Sequence, residues 1–64
     1  MKIIVDKLIL EEQDLNDKIQ RLQDVVDNEF YPTHKTFMKI QLNGMKIYLI
    51  ALRERIEIEK QINK

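Results

Sequence analysis

The 64-residue chain contains no cysteine and no tryptophan, and only one histidine, one proline and one glycine. The absence of cysteine excludes disulfides and the thiolate-rich structural zinc sites that commonly hold very small domains together. His34 cannot build a metal site by itself, so neither a metal nor any other cofactor is expected. No apolar run approaches the roughly 18 residues that a membrane span requires. The longest covers only the six residues 47–52. The opening MKIIVDKLIL is interrupted at Asp6, too early for a signal peptide, so a cytoplasmic protein is expected.

Catalytic patterns are also missing. There is no Ser/His/Asp or Cys/His arrangement and no glycine-rich phosphate loop. The carboxylate pairs Glu11-Glu12 and Glu57/Glu59 fall on faces expected to be solvated, with no pocket to raise a pKa. The expectation is therefore a binder, not an enzyme, with no catalytic residue.

Size sharpens that expectation. A chain this short buries only about 60% of its unfolded surface, which leaves a private core marginal. With disulfides and metals excluded, self-association is the remaining remedy. Charge is balanced overall, 11 bases against 11 acids, but unevenly placed. Residues 1–32 carry four bases and eight acids, and residues 33–64 carry seven bases and three acids. Such halves suit antiparallel pairing, in which opposite charges flank one seam.

The break between the halves is Pro32, preceded by Asn28-Glu29-Phe30-Tyr31. A proline disfavours helical geometry at the residue before it, so a first helix ends by about Tyr31. Thr33 is the expected cap of a second helix, with Thr36 as its competitor. The resulting fold class is all-α: an antiparallel two-helix hairpin over about 2–30 and 33–63, one domain over 1–64, assembling into a homo-oligomeric bundle.

Heptad spacing supplies the seam. In the first helix it runs Val5, Leu8, Leu15, Ile19, Leu22, Val26, interrupted by Glu12; in the second it runs Met38, Leu42, Met45, Leu49, Leu52, Ile56. The second helix carries another apolar stripe, Ile40, Gly44, Ile47, Ala51 and Ile58, extended by Ile62. At about 100° per residue this stripe lies nearly opposite the first. A helix apolar on two faces is buried on two faces, which makes Ile40, Gly44, Ile47, Ala51 and Ile58 the expected oligomer interface. Gly44 lets another helix come close there, or merely loosens its own helix by about 1 kcal/mol relative to alanine.

Lys39, Lys46, Arg53 and Lys60 recur every seven residues between the stripes. Aligned cations of this kind can serve phosphates, or can pair with acids of the first helix such as Asp14, Asp17 and Asp24. The turn holds Phe30, Tyr31, Thr33, His34, Lys35 and Thr36. An aromatic ring beside hydrogen-bond donors suits a nucleobase and its phosphate, although an ordinary hairpin closure uses the same residues. Tyr48 can stack on a ligand or edge the core. The candidate ligand-binding residues are thus Tyr31, Thr33, His34, Lys35, Lys39, Lys46, Tyr48 and Arg53.

The run from Leu10 to Leu22, LEEQDLNDKIQRL, resembles the opening helix of small proteins abundant in tailed and crAss-like phages, which reads E-x-x-E-L-x-x-K-I-x-x-L. The run from Gln41 to Ile56, QLNGMKIYLIALRERI, is similar to their second helix, Q-x-x-x-M-x-x-Y-x-x-I-L-x-x-R-I. Those proteins look related to the helical-hairpin phage sponges that counter CBASS and Thoeris immunity. The resemblance implies an oligomer that holds a cyclic dinucleotide or a cyclic ADP-ribose isomer where subunits meet, without cleaving it, in the cytoplasm of an infected bacterium. It carries over mainly core positions, with Tyr48 and Arg53 as the candidate ligand residues assigned to the motif. Two rival readings need less: an RNA-binding hairpin dimer resembling the plasmid-control protein Rop, with the basic lane on phosphates, and a protein–protein inhibitor or assembly module.

Overall fold

A computed structural model describes residues 2–62, with two helices in antiparallel contact: α1, Lys2–Asn28, and α2, Pro32–Ile62. The side chains of residues 2 and 3 lie outside the description, as do residues 1, 63 and 64, among them the expected end of the second helix at 63. The hairpin is a rod of 49 × 14 × 11 Å. Its length matches 31 helical residues at about 1.5 Å each. The helix begins at Lys2, so residues 2–5 are part of α1.

The seam follows the heptad spacing. Leu8, Leu15, Ile19 and Val26 of α1 and Leu42, Leu49, Leu52 and Ile56 of α2 form the buried core. Leu22, Met38 and Met45 pack against it half-buried, joined by Ile9 from the side. Leu52 is completely buried and Val26 nearly so, and no polar side chain is buried among the described residues. Nothing but apolar contact therefore holds the centre of the seam. Glu12, at the one interrupted seam position, stays partly exposed at its edge.

The connection differs from expectation in one detail. α1 stops at Asn28, earlier than residue 30, and α2 starts at Pro32 itself. Thr33 and Thr36 are therefore both inside the helix, and neither caps it. Tyr31 holds the capping position instead: its carbonyl accepts the Lys35 N–H at 3.0 Å. Proline suits the first helical position because its fixed φ is already helical and its missing N–H would have had no partner there. The Thr36 hydroxyl donates back to the Pro32 carbonyl at 3.0 Å.

At the end of α1, the Asn28 side-chain amide donates to the Asp24 carbonyl at 2.7 Å, and the Glu29 N–H donates to the Val26 carbonyl at 3.2 Å. The Glu29 carboxylate then accepts the Tyr31 N–H at 3.1 Å. The link needs no glycine, because no described residue has positive φ.

Candidate functional site

Two helices in contact have two edges, and the residues flanking the seam decide what each edge offers. On one edge α2 presents Lys39, Lys46, Arg53 and Lys60, spaced by heptads. The structure divides this lane in two. Near the turn, Lys39 and Lys46 join Lys35 around an open groove of about 350 Å³. Gln23 and Asp27 of α1 and Asn43 of α2 complete the rim, and Val26 and Leu42 form the floor. None of the three lysines forms an ion pair among the described residues. Asp27 is held on its own helix, where it accepts the Gln23 amide at 3.0 Å. Three ammonium groups thus face one carboxylate.

Farther from the turn the charges are already matched. The Arg53 Nε donates to Glu12 Oε2 at 3.1 Å, and the Lys60 ammonium lies 3.8 Å from Glu57 on its own helix. A second groove there, about 380 Å³, is lined by these two cations together with Glu12, Glu54 and Glu57. It offers no excess positive charge. The expected acids Asp14, Asp17 and Asp24 are not the partners of the lane; Asp14 pairs with Lys18 at 3.9 Å along α1. The Arg53 ion pair across the hairpin uses Glu12, which the sequence marked only as an interruption of the seam.

The other edge is different in kind. The Tyr48 hydroxyl donates to the Glu11 carboxylate across the hairpin. That hydrogen bond, followed by desolvation and the negative charge of Glu11, holds the phenol above its ordinary pKa, while Arg55 pulls it the other way. Counted from Tyr48, the arginine of the phage-protein motif falls on Arg55 and not on Arg53, which puts the motif's tyrosine and arginine on this one edge. Beside them, Leu22, Val25 and Met45 make an apolar groove fringed by Lys18, Arg21 and Gln41.

The tip carries Phe30, Tyr31 and His34. Phe30 meets Tyr31 edge-on with centroids 5.7 Å apart, and Tyr31 lies 5.5 Å from the His34 ring. His34 Nδ1 is 3.9 Å from the Glu29 carboxylate. Thr33 is exposed in the first turn of α2.

The eight candidate ligand residues therefore occupy four places. Lys35, Lys39 and Lys46 share the groove; Tyr31, Thr33 and His34 share the tip; Tyr48 and Arg53 are each tied to a glutamate on different edges. Gln23, Asp27 and Asn43 went unnoticed in the sequence. The signal for Gln23 was present, because it flanks the α1 seam on the edge that meets the lysine lane.

The five residues expected at an oligomer interface lie on the outer face of α2, away from α1. Ile40, Ile47 and Ile58 are 62%, 61% and 54% exposed. Phe37 and Ile50 join them as exposed apolar side chains. Ala51 is exposed, and a Cβ on Gly44 would meet nothing within 4 Å. The outer face of α1 is the contrast, with Asp14, Asp17, Arg21 and Asp24 exposed and Leu10 as its large apolar residue.

No described helix is long and apolar enough to cross a membrane, and no group of metal-binding side chains occurs among the described residues. Comparison with curated proteins and with solved structures finds no match. A family model does match, over residues 3–58, which takes in nearly all of both helices: the chain belongs to the Sequestin family.

Proposed function

We propose that this protein is a viral anti-defence sponge, which binds cyclic nucleotide immune signals and withholds them without cleaving them. The family's description denotes sequestration. The observation that carries the reading is the groove of Lys35, Lys39 and Lys46, lysines with no ion-pair partner among the described residues, within the matched residues. Phosphates of a cyclic dinucleotide or a cyclic ADP-ribose isomer are the natural counter-charge for such a cluster. Tyr31, Thr33, His34, Tyr48 and Arg53 are the further ligand candidates, and all five lie outside this groove.

The sponge is a homo-oligomer in this reading. Apolar residues on the outside of α2 and polar ones on the outside of α1 favour bundles with the α2 helices inside. Ile40, Gly44, Ile47, Ala51 and Ile58 form the interface. The same surface would equally serve an assembly module, which the oligomer mass and ligand tests separate from a sponge.

The test is a thermal-shift titration with cyclic dinucleotides and cyclic ADP-ribose isomers, beside analysis of nucleotides released on denaturation. A ligand at 100 times its Kd stabilises by about 2.7 kcal/mol. No shift with any of these signals, and none released, defeats the proposal. RNA binding with a steep salt dependence would favour the Rop-like reading instead.

A further inference from the structure

We infer that the groove near the turn is a site for a compact anion bearing two phosphate groups, and that the rest of the basic lane takes no part in it. This rests on the reading of the protein as a nucleotide sponge and locates the phosphate contacts within it. Three observations support the placement.

The first is charge that has nowhere else to go. Lys35, Lys39 and Lys46 lack ion-pair partners among the described residues, whereas Arg53 and Lys60, on the same edge, have them. The second is spacing. Lys35 and Lys39 are one turn apart, about 6 Å along the axis, and Lys39 and Lys46 are two turns apart, about 10.5 Å. Flexible stems of this length can bring one phosphate between the first pair and a second to Lys46.

The third is what borders the groove. Asp27 lines it, and Asp24 and Asp17 continue the acidic surface along α1 beside Gln20 and Arg21. An extended polyanion leaving the groove over α1 meets Asp24 and Asp17 as well, whereas a small ligand meets Asp27 alone. The floor of Val26 and Leu42 belongs to the buried core, so the lysines stand on a support fixed by the fold.

Inorganic pyrophosphate is the direct probe, followed by amide chemical shifts in the intact protein. The expected shifts gather on Gln23, Asp27 and residues 35–46. Lys39→Gln with Lys46→Gln weakens binding by at least about tenfold, the scale of losing charge-assisted hydrogen bonds. Lys60→Gln leaves it unchanged. Helical circular dichroism of each variant checks that the hairpin is intact.

Shifts centred on Arg53 and Lys60, or a double variant that binds like the wild type, overturn the site. The same titrations with cyclic di-AMP, cyclic di-GMP and cyclic ADP-ribose separate the two claims. Nucleotide binding that ignores Lys39 and Lys46 rejects the site but keeps the sponge. Pyrophosphate binding in the groove without any cyclic nucleotide keeps the site and rejects the sponge. No binding of either rejects both. A 12-nucleotide RNA that outcompetes pyrophosphate overturns the preference for a compact ligand.

Discussion

The Arg53 guanidinium reaches across the hairpin to Glu12, with Nε 3.1 Å from Oε2. Glu12 occupies a seam position where every other described residue of the α1 seam is apolar. Its carboxylate is about a quarter exposed and the arginine more than half, so water screens the pair. Its contribution should be that of a surface pair, below about 1 kcal/mol. We expect Arg53→Gln to lower stability by no more than that in urea unfolding. Glu12→Leu should raise stability, because it continues the apolar seam between Leu8 and Leu15.

A larger effect belongs to the fully buried centre of the seam. Leu52 is 0% exposed and sits in a core of eight buried side chains among the described residues. Truncation there removes transfer energy and leaves a cavity, a loss of about 2–5 kcal/mol. Small domains seldom hold more than about 3–5 kcal/mol from a single core. Leu52→Ala should therefore leave much of the protein unfolded at room temperature, seen as loss of helical circular dichroism. Exposed Leu10→Ala, also in a helix, should retain it.

The seam was legible in the sequence because heptad spacing and burial are the same fact seen twice: the eight buried residues among those described are all seam positions. The break at Pro32 was legible too, but its local chemistry was not. Thr33 has the composition of a cap, yet proline's own aptitude for the first helical position moved the helix start ahead of it. The lysine lane read as a single feature along α2. The Lys60–Glu57 pair along α2 and the cross-hairpin register, which brings Glu12 to Arg53 and gives Lys39 and Lys46 no ion-pair partner among the described residues, together divide it into a neutralised half and an open half. A pattern on one helix contains no information about that register.

Tyr48 gives a pH-dependent test. Its phenol titrates above the ordinary value near 10 because the neutral form donates to Glu11. A pKa raised by folding means that the contribution is fully present below the unfolded value of about 10 and disappears as pH climbs through the higher folded value. Ultraviolet titration should show one tyrosine ionising later than free tyrosine, and Glu11→Gln should bring it down. Tyr48→Phe should be less sensitive to alkali above about pH 10 than the wild type.

The outer face of α2 sets up a prediction in which two effects of one substitution oppose each other. Gly44 is helical and open, so within a single hairpin alanine should gain about 1 kcal/mol from helix propensity. If Gly44 is where a second α2 approaches, the same methyl group obstructs the approach, and Ile47→Glu places a charge beside it. Sedimentation should show the wild type as an oligomer and Ile47→Glu as a monomer that remains helical. Gly44→Ala should then dissociate at higher protein concentration than the wild type, while melting at higher temperature in the Ile47→Glu background. A monomeric wild type at tens of micromolar would remove the interface altogether. An oligomer tightened by alanine would keep the face but show that no close approach occurs at Gly44.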